Sequence, residues 1–375
     1  MQQAVLADSS APVEYDLHGI VGIRLVGARA GDVAAVTAQL GPIQRELDRE
    51  PDIVIRFVDR LPLPNMRFLG REEAGFTDDA FLVLRSKKAR ARVQIPVEQI
   101  GGRCEIVCES GLPAVPLLIP IVNVTALAKG VVPLHAAAFT HRGSGVLVTG
   151  WAKAGKTESL LGFMSHGAEY IGDEWVYVSA DGRRLRGIPE PVRIWDWHLD
   201  DLPRYRALLS PRERAKLRGI RAAVRANRLR PGRSEQPHRA SVLDRVMSLV
   251  EQQAWVLVDP LRLFGPDSCP LEGSFDKLFL IVSHQSPEVR VARTDPLDVA
   301  RRMVFSLQHE RLDLVSHYLM FCFAFPGRFN PVLQNAEAAQ RTALERAFAG
   351  KETYIVSHPY PAPIPAVYEA MSSLI

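Results

Sequence analysis

The stretch LVTGWAKAGKTESLL, residues 147–161, runs from an apolar segment through a small-residue loop closed by Gly-Lys-Thr into a helix-like pattern. Residues Gly150 to Thr157 fit the pattern G-x-x-x-x-G-K-[ST] in full. The glycines let the backbone turn sharply and approach an anion closely. Successive amides then point inward at phosphates, helped by the N-terminus of the helix that follows. Lys156 is expected to reach the β/γ-phosphates, and Thr157 to place its hydroxyl on Mg²⁺. The loop positions Ala152, Lys153 and Ala154 and the first-turn residue Glu158 complete the expected nucleotide-binding set with Gly150 and Gly155.

A phosphate loop does not name a reaction, so the next need is an acid. Downstream, YIGDEW places Asp173 and Glu174 after an apolar strand segment. Adjacent residues on a regular strand point to opposite faces, so only one of the two should face the loop, and Asp173 is the first choice. Its expected work is to accept the proton of a hydroxyl. Upstream, His135 stands in LHAAAF. A single histidine among apolar residues is more often a core residue with its hydrogen bonds satisfied than a functional one.

In their order and spacing, LHAAAF, GWAKAGKT and YIGDEW resemble the HPr kinase/phosphorylase family. The resemblance covers residues 131 to about 195. It implies ATP-dependent phosphorylation of a hydroxyl, typically a protein serine, with Mg²⁺. By position Asp173 looks like the catalytic carboxylate, Glu174 stands where the family commonly has a second Asp, and His135 looks like the histidine bordering the active site. The family's Arg-Gly-rich signature after the acidic pair is not present in its usual form. Here the chain reads LRGIPEPVRIWD, 185–196. Glu190 could serve there as a Mg²⁺ ligand and Arg193 as a phosphate contact; the other reading of this segment is a surface proline turn.

The resemblance implies an α/β fold, a P-loop kinase core of phosphoenolpyruvate carboxykinase type, and the chain adds a smaller strand-rich N-terminal α+β domain. The expected division is a flexible N-terminus over 1–14, a mixed strand-rich accessory domain over 15–115, and a P-loop kinase-like domain over 116–375 with a helical C-terminal part. Short strands are expected at 52–58, 79–86 and around ARVQIPV and CEIVCES. A helix is expected from Pro116 to Lys129, with strands at 132–139, 145–150 and 277–284. The tail reads as helical over 296–324, 336–349 and 363–374.

Composition sets outer bounds. The chain has 375 residues, a hydrophobic fraction of 47% and a formal net charge of +4, so nothing global points to nucleic acid. Four cysteines make no disulfide framework, and structural thiols in a reducing cytosol are expected. Residues 1–12 do not read as a signal peptide, and the proline-interrupted stretch 112–128 does not read as a membrane span. A soluble cytoplasmic protein is expected.

The charge is uneven. Between Pro203 and Arg233, Lys and Arg dominate and Glu213 is the only acid. Ser210, Pro211 and Glu213 make a helix start, with the helix running to about Asn227 and a loop over 230–238. An acidic partner at 204–233 is one reading; a solvated helix face is the other. No aromatic residue interleaves in the helical part, so nucleic acid is not favoured.

Three functions follow. The first is an ATP-dependent kinase of a protein or peptide hydroxyl. The second keeps the chemistry and changes the acceptor to a small-molecule alcohol. The third is an ATP-binding regulator without turnover. The sequence specifies neither ATP over GTP nor the oligomeric state.

Overall fold

The computed structural model describes residues 12–62, 65–69, 74–83, 92–229 and 242–375. The chain is a mixed α/β protein built on more than one sheet. The loop expected at 230–238 and parts of the 79–86 and 91–97 segments lie outside the described residues.

The first sheet takes its strands from β1 (Val13–Leu17), β2 (Val21–Val26), β3 (Ile53–Val58), β4 (Arg67–Leu69), β5 (Ala74–Phe76), β6 (Ala80–Val83), β7 (Val93–Pro96) and β8 (Cys104–Glu109), in the order β1-β2-β3-β8-β7-β6-β5-β4. Strands β2, β3 and β8 run parallel and the remaining pairs antiparallel. Helices α1 (Ala30–Leu40) and α2 (Leu118–Ala128) belong with it. Cys104 and Cys108 are free and buried in this core, and burial pushes both thiols up to about 12, which keeps them unreactive.

The second sheet carries the Gly150–Thr157 loop. Its strands are β9 (Val132–His141), β10 (Ser144–Gly150), β11 (Glu169–Gly172), β12 (Trp175–Val178) and β13 (Arg184–Gly187). Strands β14 (Val192–Trp195) and β15 (Trp255–Val258) pair apart from it as a two-stranded ribbon. The sheet continues with β16 (Glu272–Ser274), β17 (Lys277–His284), β18 (Arg290–Arg293) and β19 (Glu352–Pro359), in the order β16-β13-β12-β9-β10-β17-β19-β18, with β11 also on β9. Strands β10, β17 and β19 are parallel.

Helix α3 (Lys156–Met164) follows the loop. Next come α4 (His198–Asp201), α5 (Arg204–Leu208), α6 (Pro211–Arg228), α7 (Val242–Glu251) and α8 (Pro260–Phe264). The tail holds α9 (Pro296–Glu310), α10 (Leu312–Ala324), α11 (Pro331–Phe348) and α12 (Ile364–Ser372).

The apolar run at β9 and β10 has a reason in this layering. Helices α3 and α12 cover one face of the sheet over Ala137, Phe139, Val146 and Val148. Helices α9 and α11 cover the other over Leu134, Ala136, Ala138 and Leu147. A strand covered on both faces reads as a continuous apolar run rather than an alternation. The Phe139 and Phe163 rings stack at 4.5 Å, and each such buried side chain contributes about 2–3 kcal/mol of burial.

The tail is helical over 296–324 as expected, in two helices that break at Arg311, which ends α9 and begins α10. The segment 352–359, read between helices, is β19, a parallel neighbour of β17. Helix α11 also starts earlier than expected, because Asn330 caps it and Pro331 takes its first position. The Asn330 amide donates to the carbonyls of Val97 and Ile100, which ties α11 to the first sheet. Helices α2 and α10 likewise pack into the first sheet's core, with Leu314, Tyr318 and Phe321 from α10. Among the described residues no helix is long and apolar enough to cross a membrane.

Candidate functional site

The loop is a tight turn braced from beneath. Strand β10 ends at Gly150, Lys153 and Gly155 take positive φ angles of 63° and 105°, and the Ala154 amide donates to the Trp151 carbonyl. Alternating hand along the backbone is what turns successive amides to one side. From β19, buried His358 donates through Nε2 to the Ala154 carbonyl at 2.7 Å. A Cβ on Gly155 would lie 2.8 Å from that same Nε2. Gly155→Ala is therefore expected to cost about 1–3 kcal/mol of stability. Gly219→Ala, within α6 and with no heavy atom in contact range, should instead gain up to about 1 kcal/mol. Urea melts of the two variants check the opposite signs, and a Gly155→Ala protein as stable as wild type would remove the strain argument.

Three side chains meet at the loop's closing residues. The buried Lys156 ammonium arches back to the Trp151 carbonyl at 3.0 Å. Burial lowers its pKa, opposed by the charges of Glu174, Asp173, Glu310 and Glu158. The Thr157 hydroxyl donates to Asp173, with Oδ2 at 2.9 Å. Asp173 is only 2% exposed. Burial, with the Glu174 charge beside it, pushes its carboxyl up to about 7, against the pull of Thr157, Lys156 and His135.

The regular strand on which only one of the two adjacent acids would face the loop is not what forms. Strand β11 ends at Gly172, β12 starts at Trp175, and Glu174 between them sits at φ 72°, in the left-handed region. That twist cancels the alternation and brings both carboxylates within the field of Lys156. Glu174 accepts from His135 Nε2 at 2.8 Å, and His135 Nδ1 is held by Glu310 at 2.6 Å. Burial works against the His135 charge, but the two carboxylates outweigh it and its pKa is raised. Burial likewise opposes the charge of Glu174, and His135, Lys156 and Arg193 outweigh that and hold its carboxyl low.

Glu190 also belongs to this cluster. Burial, and then the charges of Glu174 and Asp173, push its carboxyl well above the usual range. Its Oε2 is buried without a hydrogen-bond partner. Three neighbouring carboxylates, one with a buried oxygen that has no partner, are a set that a divalent cation would relieve beside Lys156, His135 and Arg193. Among the described residues no three His, Cys, Asp or Glu side chains are placed to hold an ion by themselves.

The structure does not bring every expected residue to the loop in the same way. The Glu158 carboxylate pairs with His198 Nε2 at 3.1 Å, and only its field reaches Lys156. The Arg193 guanidinium lies over the Trp255 ring at 4.7 Å, and only its field reaches Glu174. Ala152 and Lys153 form the loop's outer turn. Residues that sequence reasoning did not find are Glu310 and His309 at the end of α9, and His358. The His309 ring stacks on exposed Trp151 at the loop tip, 5.0 Å between centroids. Glu310 lies 175 positions from His135 and has no local signal. His358 had one, the alternation of ETYIVSHP.

No protein-family model and no curated protein matches the chain. Among solved structures, that of the HPr(Ser) kinase/phosphatase from Coxiella burnetii aligns with 48% of this chain and 97% of its own, at 13% sequence identity and a TM-score of 0.22. The likeness is partial and weak.

Proposed function

We propose that the chain is an ATP-dependent kinase that moves the γ-phosphate of ATP to a hydroxyl, most simply a serine of a protein or peptide. In this reading the second sheet is a P-loop kinase core of phosphoenolpyruvate carboxykinase type. The observation that carries it is the contact between the loop and the acid: Thr157 donates to buried Asp173 while Lys156 stands in the field of Asp173 and Glu174.

The amides of 150–158 and the Lys156 ammonium hold the phosphates. Thr157, Glu174 and Glu190 would hold Mg²⁺, which when bound neutralises charge on the phosphate oxygens. Asp173 accepts the proton of the acceptor hydroxyl as that oxygen bonds to the γ-phosphorus and ADP leaves. A carboxyl whose pKa lies near neutrality is suited to that transfer. Catalysis is otherwise positioning and charge neutralisation.

His135 fixes Glu174, and Glu310 fixes His135, so Glu310 is a positioning residue. Glu310→Ala is expected to lower kcat about tenfold or more with little change in the KM for Mg²⁺-ATP, and Glu310→Gln to recover part of the loss. A KM change alone would assign Glu310 to binding instead.

The test of the function is mass spectrometry of candidate acceptors incubated with Mg²⁺-ATP. A gain of one phosphate on a peptide supports the reading. A gain on a small alcohol moves it to a metabolite kinase. Tight ATP binding with no product on any acceptor moves it to a regulator.

A further inference from the structure

We propose that the arginine stripe of α6 is the docking surface for an acidic segment of the phosphoryl acceptor, a deepening that rests on the kinase reading above. Arg214, Arg218, Arg221 and Arg225 are spaced i, i+4, i+7 and i+11, which sets them in one line along the helix. Among the described residues only Arg221 of the four has a carboxylate partner, shared between Asp196 and Asp200.

The stripe is not needed to hold the helix. Ser210 and Glu213 cap α6 in a capping box, and Glu213 also takes Arg262 at 2.8 Å. Lys216 donates to the Trp255 carbonyl, Leu217 is buried, and Arg228 meets Glu251. Left to itself the stripe is unfavourable. Like charges four apart, as at 214/218 and 221/225, cost a helix about 0.2–0.5 kcal/mol per pair. Half-buried Arg214 and exposed Arg218 and Arg225, with that cost and no carboxylate partner among the described residues, fit an anionic partner.

Placement says which partner. Of the pair that holds Arg221, Asp196 precedes α4 and Asp200 lies within it, and His198 at the start of α4 holds Glu158 of α3. On the other flank of α6, Lys216 and Arg193 both lie over the Trp255 ring, at 4.8 and 4.7 Å. Arg193, with His135 and Lys156, is one of the cations whose field reaches Glu174 in the site. Arg193 and Lys216 thus carry positive charge from the site to the flank of α6 opposite the stripe. The stripe spans about 17 Å at 1.5 Å per residue, room for a short acidic run. Residues 211–228 include no aromatic side chain on which a base could stack, so an acidic peptide fits this face better than a single-stranded nucleic acid.

The experiment is fluorescence anisotropy of a labelled Glu-rich peptide carrying one serine, beside its Gln-rich counterpart and a short duplex DNA, at low and at physiological salt. Wild type should bind the Glu-rich peptide about tenfold or more tighter than the Gln-rich one, with affinity falling as salt rises. The triple variant Arg214→Glu, Arg218→Glu, Arg225→Glu should lose that preference, and the Arg→Gln triple should lose part of it if the reversal harms folding. Mg²⁺-ATP binding, measured separately by calorimetry, should be unchanged in both. Equal affinity for the two peptides, indifference to the substitutions, or tighter binding of the DNA would overturn the proposal. Stripe-dependent peptide binding in a protein that fails to bind ATP would uphold the docking surface and sink the kinase reading.

Discussion

Lys156→Ala should leave a folded protein that no longer transfers phosphate at a useful rate. The residue is 5% exposed, its ammonium touches the Trp151 carbonyl, and it is the lysine placed among the carboxylates of Glu174, Asp173, Glu310 and Glu158. Removing a preorganised cation from developing phosphate charge costs about a hundredfold or more in turnover. The stability effect should be small, because two changes oppose each other. Relief from burying the ammonium is favourable, and loss of its charge beside Asp173 and Glu174 is not. Two measurements check this. Wild type should melt higher as Mg²⁺-ATP is added, by the usual linkage of binding to stability, and the variant should not. Single-turnover transfer should fall in parallel. A variant with near-normal turnover would remove Lys156 from the chemistry and leave it a role in the loop's shape.

What was legible in the sequence was what is local. The loop, the helix after it and the capped start of α6 depend on residues a few positions apart, and Ser210, Pro211 and Glu213 do in the structure what their spacing implies. The apolar strand segment before Asp173 and Glu174 was also local, but the direction of Glu174 was not. A left-handed glutamate cannot be read from GDEW, because the conformation is unfavourable in itself and is held by contacts with His135 from another strand. The apolar periodicity runs through Arg311 without interruption, so 296–324 read as helical with no break marked. The break there is what sets Glu310 against His135 and His309 against Trp151. Strand β19, whose alternation ends in His358 and Pro359, lies unassigned between the helical stretches of the sequence reading. Parallel pairing with β17 over the whole strand is not a local signal.

Asp173→Asn should separate stability from activity in opposite directions. The side chain keeps its shape, and its amide oxygen can still accept from Thr157. It cannot accept a proton, so phosphoryl transfer should fall about a hundredfold or more. Stability should move the other way, with a definite pH dependence. Burial, and then Glu174, raise the Asp173 carboxyl from 3.8 to about 7. The folded state therefore holds this proton more firmly than the unfolded chain does. Its favourable contribution is complete below the unfolded value of 3.8 and is lost as pH rises through about 7. Asparagine carries no such charge, so the variant should gain on wild type across that window and level off above it. The gain should be on the order of 2–4 kcal/mol, since each tenfold change in proton affinity is worth about 1.4 kcal/mol. Thermal melts of both proteins from pH 4 to pH 8, in EDTA and without nucleotide, keep metal out of the comparison. A purely structural aspartate would lose stability and activity together when replaced. A catalytic one, held charged at a cost in a buried site, gives a slower enzyme that is harder to unfold. If Asp173→Asn melts lower than wild type at pH 8, the raised carboxyl is not the source of strain here, and the case for Asp173 as the base loses its electrostatic half.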